Sequence, residues 1–227
     1  KDDWSADWHY ASADSMVKES DWTILYGEIK LPTGTWKLRD AYRQEGDKIK
    51  CVRRYEWHSK EVLSKVTLAV RWALPVYTNK IFMPGILYYG NPSGFKNCKT
   101  CVATFDKDYA PEALFEEHRF SMPFVCAEIP LGNQLFGVSL HTQPSLAPYA
   151  NIADQWWSLG VSARNNTTEL DLLSGPIAMN GQRSVAKALQ DKPLPYGDTW
   201  LNVKPNAVIE KTFYIEAHPL QEEGFAF

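Results

Sequence analysis

A chain of 227 residues with 44% hydrophobic side chains can bury a substantial core, which excludes intrinsic disorder. Its 24 Lys and Arg are scattered among 27 Asp and Glu, giving a formal charge of −3, so no electrostatic field draws it to nucleic acid. No apolar run approaches the roughly 20 residues of a spanning helix, and Lys1-Asp2-Asp3-Trp4 reads as a trimmed start rather than a secretion signal.

Residues 1–20 are polar with Trp4, Trp8 and Tyr10 interspersed, and predict an irregular lead-in. From Asp21 the pattern has period two: Trp22, Ile24 and Tyr26 alternate with Thr23 and Leu25 before Pro32-Thr33-Gly34 turns the chain. Residues 35–43 and 49–58 predict two further strands. In the second of these Ile49, Cys51, Arg53, Tyr55 and Trp57 share one face, and that mixture of charge and aromatic bulk points to a cleft between sheets. From Lys60 a long strand is expected, with Val66, Leu68, Val70, Trp72 and Leu74 on one side of the pleat. It ends at Pro75 and opens into a loop rich in Tyr, Asn, Gly and Pro that runs to Gly94.

Residues 94–117 predict an irregular excursion with one helical turn near 111–115. Strand patterning resumes over 119–130 and 134–141. Residues 155–163 and 168–174 form a hairpin about Arg164-Asn165-Asn166, because asparagine tolerates positive φ. Ser184 to Gln190 could form a short helix. Val208, Glu210, Thr212, Tyr214 and Glu216 then alternate with Ile209, Lys211, Phe213, Ile215 and Ala217 in a last strand. Many short strands joined by turns, with no crossover helices and no composition break, predict an all-β fold. It is a large antiparallel β-sandwich with little helix, occupying residues 21–218 as one domain. Residues 219–227 end on Phe225 and Phe227, whose rings need a partner surface, so they read as a linker toward a further C-terminal domain.

The cysteines stand at 51, 98, 101 and 126. Cys98-Lys99-Thr100-Cys101 lies in a loop and lacks two further soft ligands. A loop-stapling disulfide or two free thiols are expected there, with no metal and no cofactor. Asn165-Asn166-Thr167-Thr168 holds two overlapping glycosylation sequons, a pattern short enough to arise by chance.

Flat rings and short amides in a shaped loop suit a sugar, whose C–H face lies on an aromatic ring while its hydroxyls take amide partners. Asn79, Tyr88, Tyr89, Asn91, Trp156 and Trp157 are the candidate carbohydrate contacts. Against this, asparagine beside glycine and proline usually makes turns, and of two adjacent strand aromatics at most one is core. Chemistry on a sugar ring would need a converging acid and base. His118, His141 and Glu128 are the candidates, although each also reads as an ordinary polar residue of a strand or strand end. No zinc-protease, nucleophile-elbow, phosphate-loop or dinucleotide motif is present.

Arg53-Arg54-Tyr55-Glu56-Trp57 and the run from Leu74 to Asn91 resemble the N-terminal galactose-mutarotase-like β-supersandwich of multidomain bacterial glycoside hydrolases and related polysaccharide lyases. The resemblance extends to the strand order and to the acidic, aromatic exit after the last strand. It implies an accessory, non-catalytic sandwich that packs on a C-terminal (α/α)-toroid catalytic domain and lends a loop to its glycan cleft. It also implies a periplasmic or extracellular location. A free-standing mutarotase-like or lyase enzyme, and a carbohydrate-binding module, are the alternatives.

Overall fold

The computed structural model describes residues 8–88, 103–108, 110–145, 157–175, 179–180 and 201–221. Two antiparallel sheets dominate. The larger has nine strands in the order β1 (Ser15–Glu19), β2 (Trp22–Leu31), β3 (Gly34–Glu45), β4 (Lys48–His58), β16 (Val208–Pro219), β11 (Gln134–Thr142), β10 (Phe124–Leu131), β7 (Ile81–Met83) and β8 (Leu87–Tyr88). The smaller has five: β14 (Met179–Asn180), β9 (Glu112–Glu116), β12 (Trp157–Arg164), β13 (Thr167–Ser174) and β6 (Ala69–Ala73). A separate ribbon pairs β5 (Leu63–Val66) with β15 (Leu201–Val203).

Period-two patterning decides which face goes inward. Directly paired residues share a face, so Tyr55 with Ile209, Phe213 with Cys51 and Val125 with Leu140 form rows across the large sheet. All six are buried, and they meet Trp157, Leu159, Val161, Leu170, Leu172 and Val70 of the small sheet. Tyr55 and Trp157 span the layers with ring centroids 6.2 Å apart, and paired Trp36 and Trp57 lie 5.1 Å apart. The expected antiparallel sandwich is present. Asn165 and Asn166 turn the β12–β13 hairpin at φ 50° and 62°, as their residue type predicts.

Three local expectations fail. Ser15–Glu19, inside the expected irregular lead-in, is the edge strand β1. The helical turn near 111–115 is the strand β9, because Ala113 and Leu114 pair with Val161 and Gly160 of β12. Gly160 permits that approach: a Cβ there would stand 2.0 Å from the Ala113 carbonyl oxygen. The long strand from Lys60 is two strands. Lys65 takes φ 58°, Val66 pairs with Leu201, and from Ala69 the chain pairs with β13 instead. Leu68 and Val70 stay buried through the change of partner, which is why the alternation reads as continuous. The proposed helix over 184–190 and the 98–101 cysteines lie outside the described residues. Cys51 and Cys126 are free and buried.

One buried ion pair joins the layers. Glu117, on a single 3-10 turn after β9, is fully buried, and Lys211 of β16 is 2% exposed. Lys211 Nζ donates to Glu117 Oε2 at 2.7 Å, to the Gln143 carbonyl at 2.8 Å and to Ser145 Oγ at 2.9 Å. The same carboxylate accepts from Thr142 Oγ1 at 2.9 Å and from the backbone N–H groups of Ser145 and Trp157 at 2.7 and 3.3 Å. Six hydrogen bonds thus compensate two desolvated charges and tie the exit of β11 and the start of β12 to one point. Removing one partner strands the other charge. Lys211→Met or Glu117→Gln is therefore expected to cost about 3–5 kcal/mol in urea unfolding, with the double variant losing less than the sum of the two. A loss under about 1 kcal/mol in either single variant contradicts this assignment.

Candidate functional site

The sheets are unequal, and the site follows from that. Tyr55 Oη and Arg53 Nη1 both donate to the Ala69 carbonyl, at 2.8 and 3.2 Å, so β6 lies over β4. β6 is the last strand of the small sheet, and β3, β2 and β1 continue beyond it. The segment from Trp8 to Asp14 covers part of this overhang. It leaves β1 with Asp14 N–H bonded to the Tyr26 carbonyl at 2.7 Å, then crosses β2 above Gly27. A Cβ on Gly27 would stand 2.7 Å from the Ser12 carbonyl oxygen, so only glycine admits this crossing. Trp8 then packs with Leu114, Leu173 and Ala69 of the small sheet. Between this strap, the inner face of β2–β4 and residues 63–69 lies a cleft of about 610 Å³.

Charge in the cleft wall is compensated. Arg53 donates to both carboxylate oxygens of Asp40, at 2.7 and 2.5 Å, and Tyr42 donates to Asp40 Oδ2 at 3.2 Å. Burial, reinforced by Asp40, pushes the Tyr42 phenol up to about 12. Burial alone would lower the Arg53 pKa, but Tyr55 and Asp40 outweigh it and hold the guanidinium charged. At the opposite rim Arg71 binds Glu169, donates to Asp171 at 3.2 Å and to Tyr10 Oη at 3.3 Å, and lies 5.0 Å from the Trp8 ring. Asp171, 2% exposed, also accepts from Ser162 Oγ at 2.5 Å. Two acids share one guanidinium. Burial, with Glu169 adding, pushes Asp171 up to about 6 despite Arg71 and Ser162.

The mixed face of β4 does line a cleft, through Arg53 and Tyr55, whereas Cys51 and Trp57 sit in the core. Trp157 is fully buried against Tyr55, with Lys211 Nζ 5.9 Å from its ring; it is a core residue and offers no surface platform. Asn79 is exposed, and its backbone carbonyl accepts the Ile81 N–H at 2.9 Å, a bond any residue can make. Tyr88 is 51% exposed, rests edge-on to Phe82 and accepts the Gly85 N–H at 3.1 Å. Tyr89, Asn91 and Trp156 lie outside the described residues.

The acid–base candidates are not brought together. His118 is exposed on the 3-10 turn. His141 and the 2%-exposed Glu128 share the outer face of β10 and β11, where they pair with Phe124 and Gly137. Four strand residues separate these rows, about 13 Å. His141 Nε2 lies 2.7 Å from Ser139 Oγ and 3.4 Å from Glu216 Oε2. Ser139 is fully buried, and serine and glutamate address the same ring nitrogen, so the trio is no nucleophilic triad. Burial first, then Lys48, lowers His141 to about 4 against the pull of Glu216. Among the described residues no group of three or more His, Cys, Asp or Glu could hold a metal.

His141 and Asp171 give opposite pH signatures. Unfolded histidine protonates near 6.5 and folded His141 near 4, so the unfolded chain binds more protons between these values and stability falls as pH drops through them. Asp171 rises from 3.8 to about 6 on folding, so the folded chain binds more protons there and stability falls as pH climbs. Each effect is on the order of 3 kcal/mol at most. Relative to the native chain, His141→Asn should make the urea midpoint fall more steeply with rising pH over this window. Asp171→Asn should make it rise. Slopes that shift in the same direction contradict the assignments.

No protein-family model and no curated protein matches the chain. Solved structures similar to it include a putative aldose 1-epimerase from Escherichia coli K12, at 12% identity and TM-score 0.48, over 90% of this chain and 68% of that one. A protein from Synechocystis sp. PCC 6803 aligns at 13% identity and TM-score 0.42, over 92% and 66%. A GH36 alpha-galactosidase from Geobacillus stearothermophilus aligns at 12% identity and TM-score 0.45, over 91% of this chain and 26% of its own. Likenesses of this depth leave activity open. The two antiparallel sheets and their register stand on the chain's own strand pairing.

Proposed function

We propose that this chain is an accessory, non-catalytic β-sandwich of a carbohydrate-active enzyme. It packs on a helical catalytic domain of the same parent, acts in the periplasm or outside the cell, and lends a loop to the glycan cleft. The observation that carries the reading is the separation of the acid–base candidates: one lies in solvent, and the other two lie about 13 Å apart on one sheet face, with the carboxylate buried. A sugar ring offers its acid and base positions within hydrogen-bond reach of one bound substrate, which this spacing does not serve. The sequence resemblance at residues 53–57 and 74–91 supplies the carbohydrate context, and the exposed Asn79 and Tyr88 stand on the segment it covers.

The test is turnover by the isolated chain. Anomerisation of glucose and galactose, followed by polarimetry, should run at the uncatalysed rate, and the full-length parent should lose glycosidase activity when this domain is deleted. Catalysed anomerisation that disappears in His118→Ala, His141→Ala or Glu128→Gln would favour the free-standing enzyme and overturn the accessory reading. Glycan binding by the isolated chain without turnover would favour a carbohydrate-binding module.

A further inference from the structure

We infer that the strap-covered cleft is a binding site for an uncharged, largely apolar small molecule, distinct from the candidate sugar contacts Asn79 and Tyr88, which do not line it. The walls are Leu25, Ile29, Leu31 and Leu38 from the large sheet, facing Val66 and Leu68 from the crossing between β5 and β6. A volume of about 610 Å³ falls within the range of pockets that enclose compact organic ligands. The aliphatic surface belongs to β2 and β3, which among the described residues have no strand of the small sheet opposite them.

Electrostatics selects the ligand class. The two guanidiniums that reach the cleft are engaged: Arg53 by both oxygens of Asp40 and the Ala69 carbonyl, Arg71 by Glu169, Asp171 and Tyr10. Lys65, the remaining Lys or Arg of the lining, is solvent-exposed. A charged ligand seated on the aliphatic walls would lose hydration, and a counter-charge from either guanidinium would require breaking one of these pairs. An uncharged ligand meets no such cost. The strap contributes aromatic surface, since Trp8 and Tyr10 both line the cleft and Tyr10 is 73% exposed. Because Gly27 seats the strap, the shape of the cleft depends on that residue.

The probe pair is N-phenylnaphthylamine, which is uncharged, and its sulfonate, anilinonaphthalene sulfonate, which keeps the rings and adds one negative charge. Fluorescence titration of the 227-residue chain should show saturable one-site binding of the uncharged probe. The sulfonate should bind about tenfold or more weakly. Leu38→Trp, which fills the cleft from the sheet side, should weaken the uncharged probe by about tenfold or more while keeping a cooperative melt. Val66→Trp, which fills it from the opposite wall, serves if the first variant does not fold. The inference is overturned if the native chain shows no saturable binding, if the sulfonate binds as well as its parent, or if a folded filled variant binds unchanged. It stands apart from the accessory reading: anomerisation by the chain would remove that reading without touching this one.

Discussion

Among the described residues, five strands of one sheet face nine of the other. The inner face of the large sheet carries an apolar alternation from β2 to β10, broken by Asp40, Arg53 and Lys211, and every apolar row of it must be taken out of water by something. Over β4, β16, β11 and β10 the small sheet does this, with Trp157, Leu159, Leu170 and Leu172 filling the gap. Over β2 and β3 no small-sheet strand remains among the described residues, and their cover comes from a strap of irregular backbone, from β5 and from the crossing between β5 and β6. The cleft is the part of that face which neither covers. Its position therefore follows from strand count and register, not from any local motif.

The same inequality explains where charge is buried. Inward positions in a sandwich are normally apolar, and a charged residue there must arrive with its partner. Lys211 alternates with Ile209 and Phe213 on the inner side of β16 and meets Glu117 from the turn that follows β9. Arg53 alternates with Cys51 and Tyr55 on β4 and meets Asp40 from the paired position on β3. The first pair fastens the region where the two sheets overlap. The second marks the boundary where the overlap ends, and Tyr55 stands between them in contact with Trp157.

Much of this fold is legible in the sequence, because alternation is a direct record of burial. The hairpin at Asn165-Asn166, the alternation of β16 and the cleft-lining role of Arg53 are all read from residue order. What is not legible depends on partners distant along the chain. The break between β5 and β6 is silent, since Leu68 and Val70 remain inward on both sides of the exchange. β9 is hidden because its apolar content, the unbroken run Ala113, Leu114 and Phe115, is too short to show a period until Gly160 lets it dock. Glu117 looks like one of three consecutive polar residues before Arg119, and nothing local reveals that it is fully buried. An arginine or lysine on the apolar side of a strand is the sequence signal for both buried pairs, at Arg53 and at Lys211.

The strap is where these strands of argument meet, for it closes the overhang, shapes the cleft and engages Arg71 through Trp8 and Tyr10. The most direct measurement is the set of nuclear Overhauser contacts between the Trp8 indole and the methyl groups of Leu114 and Leu173. In the native chain these contacts should be present. In Gly27→Val, where the new side chain would occupy the place of the Ser12 carbonyl, they should vanish while the contacts of the Tyr55–Trp157 core persist. Their absence from the native chain, or their survival in a folded Gly27→Val chain, would contradict the account.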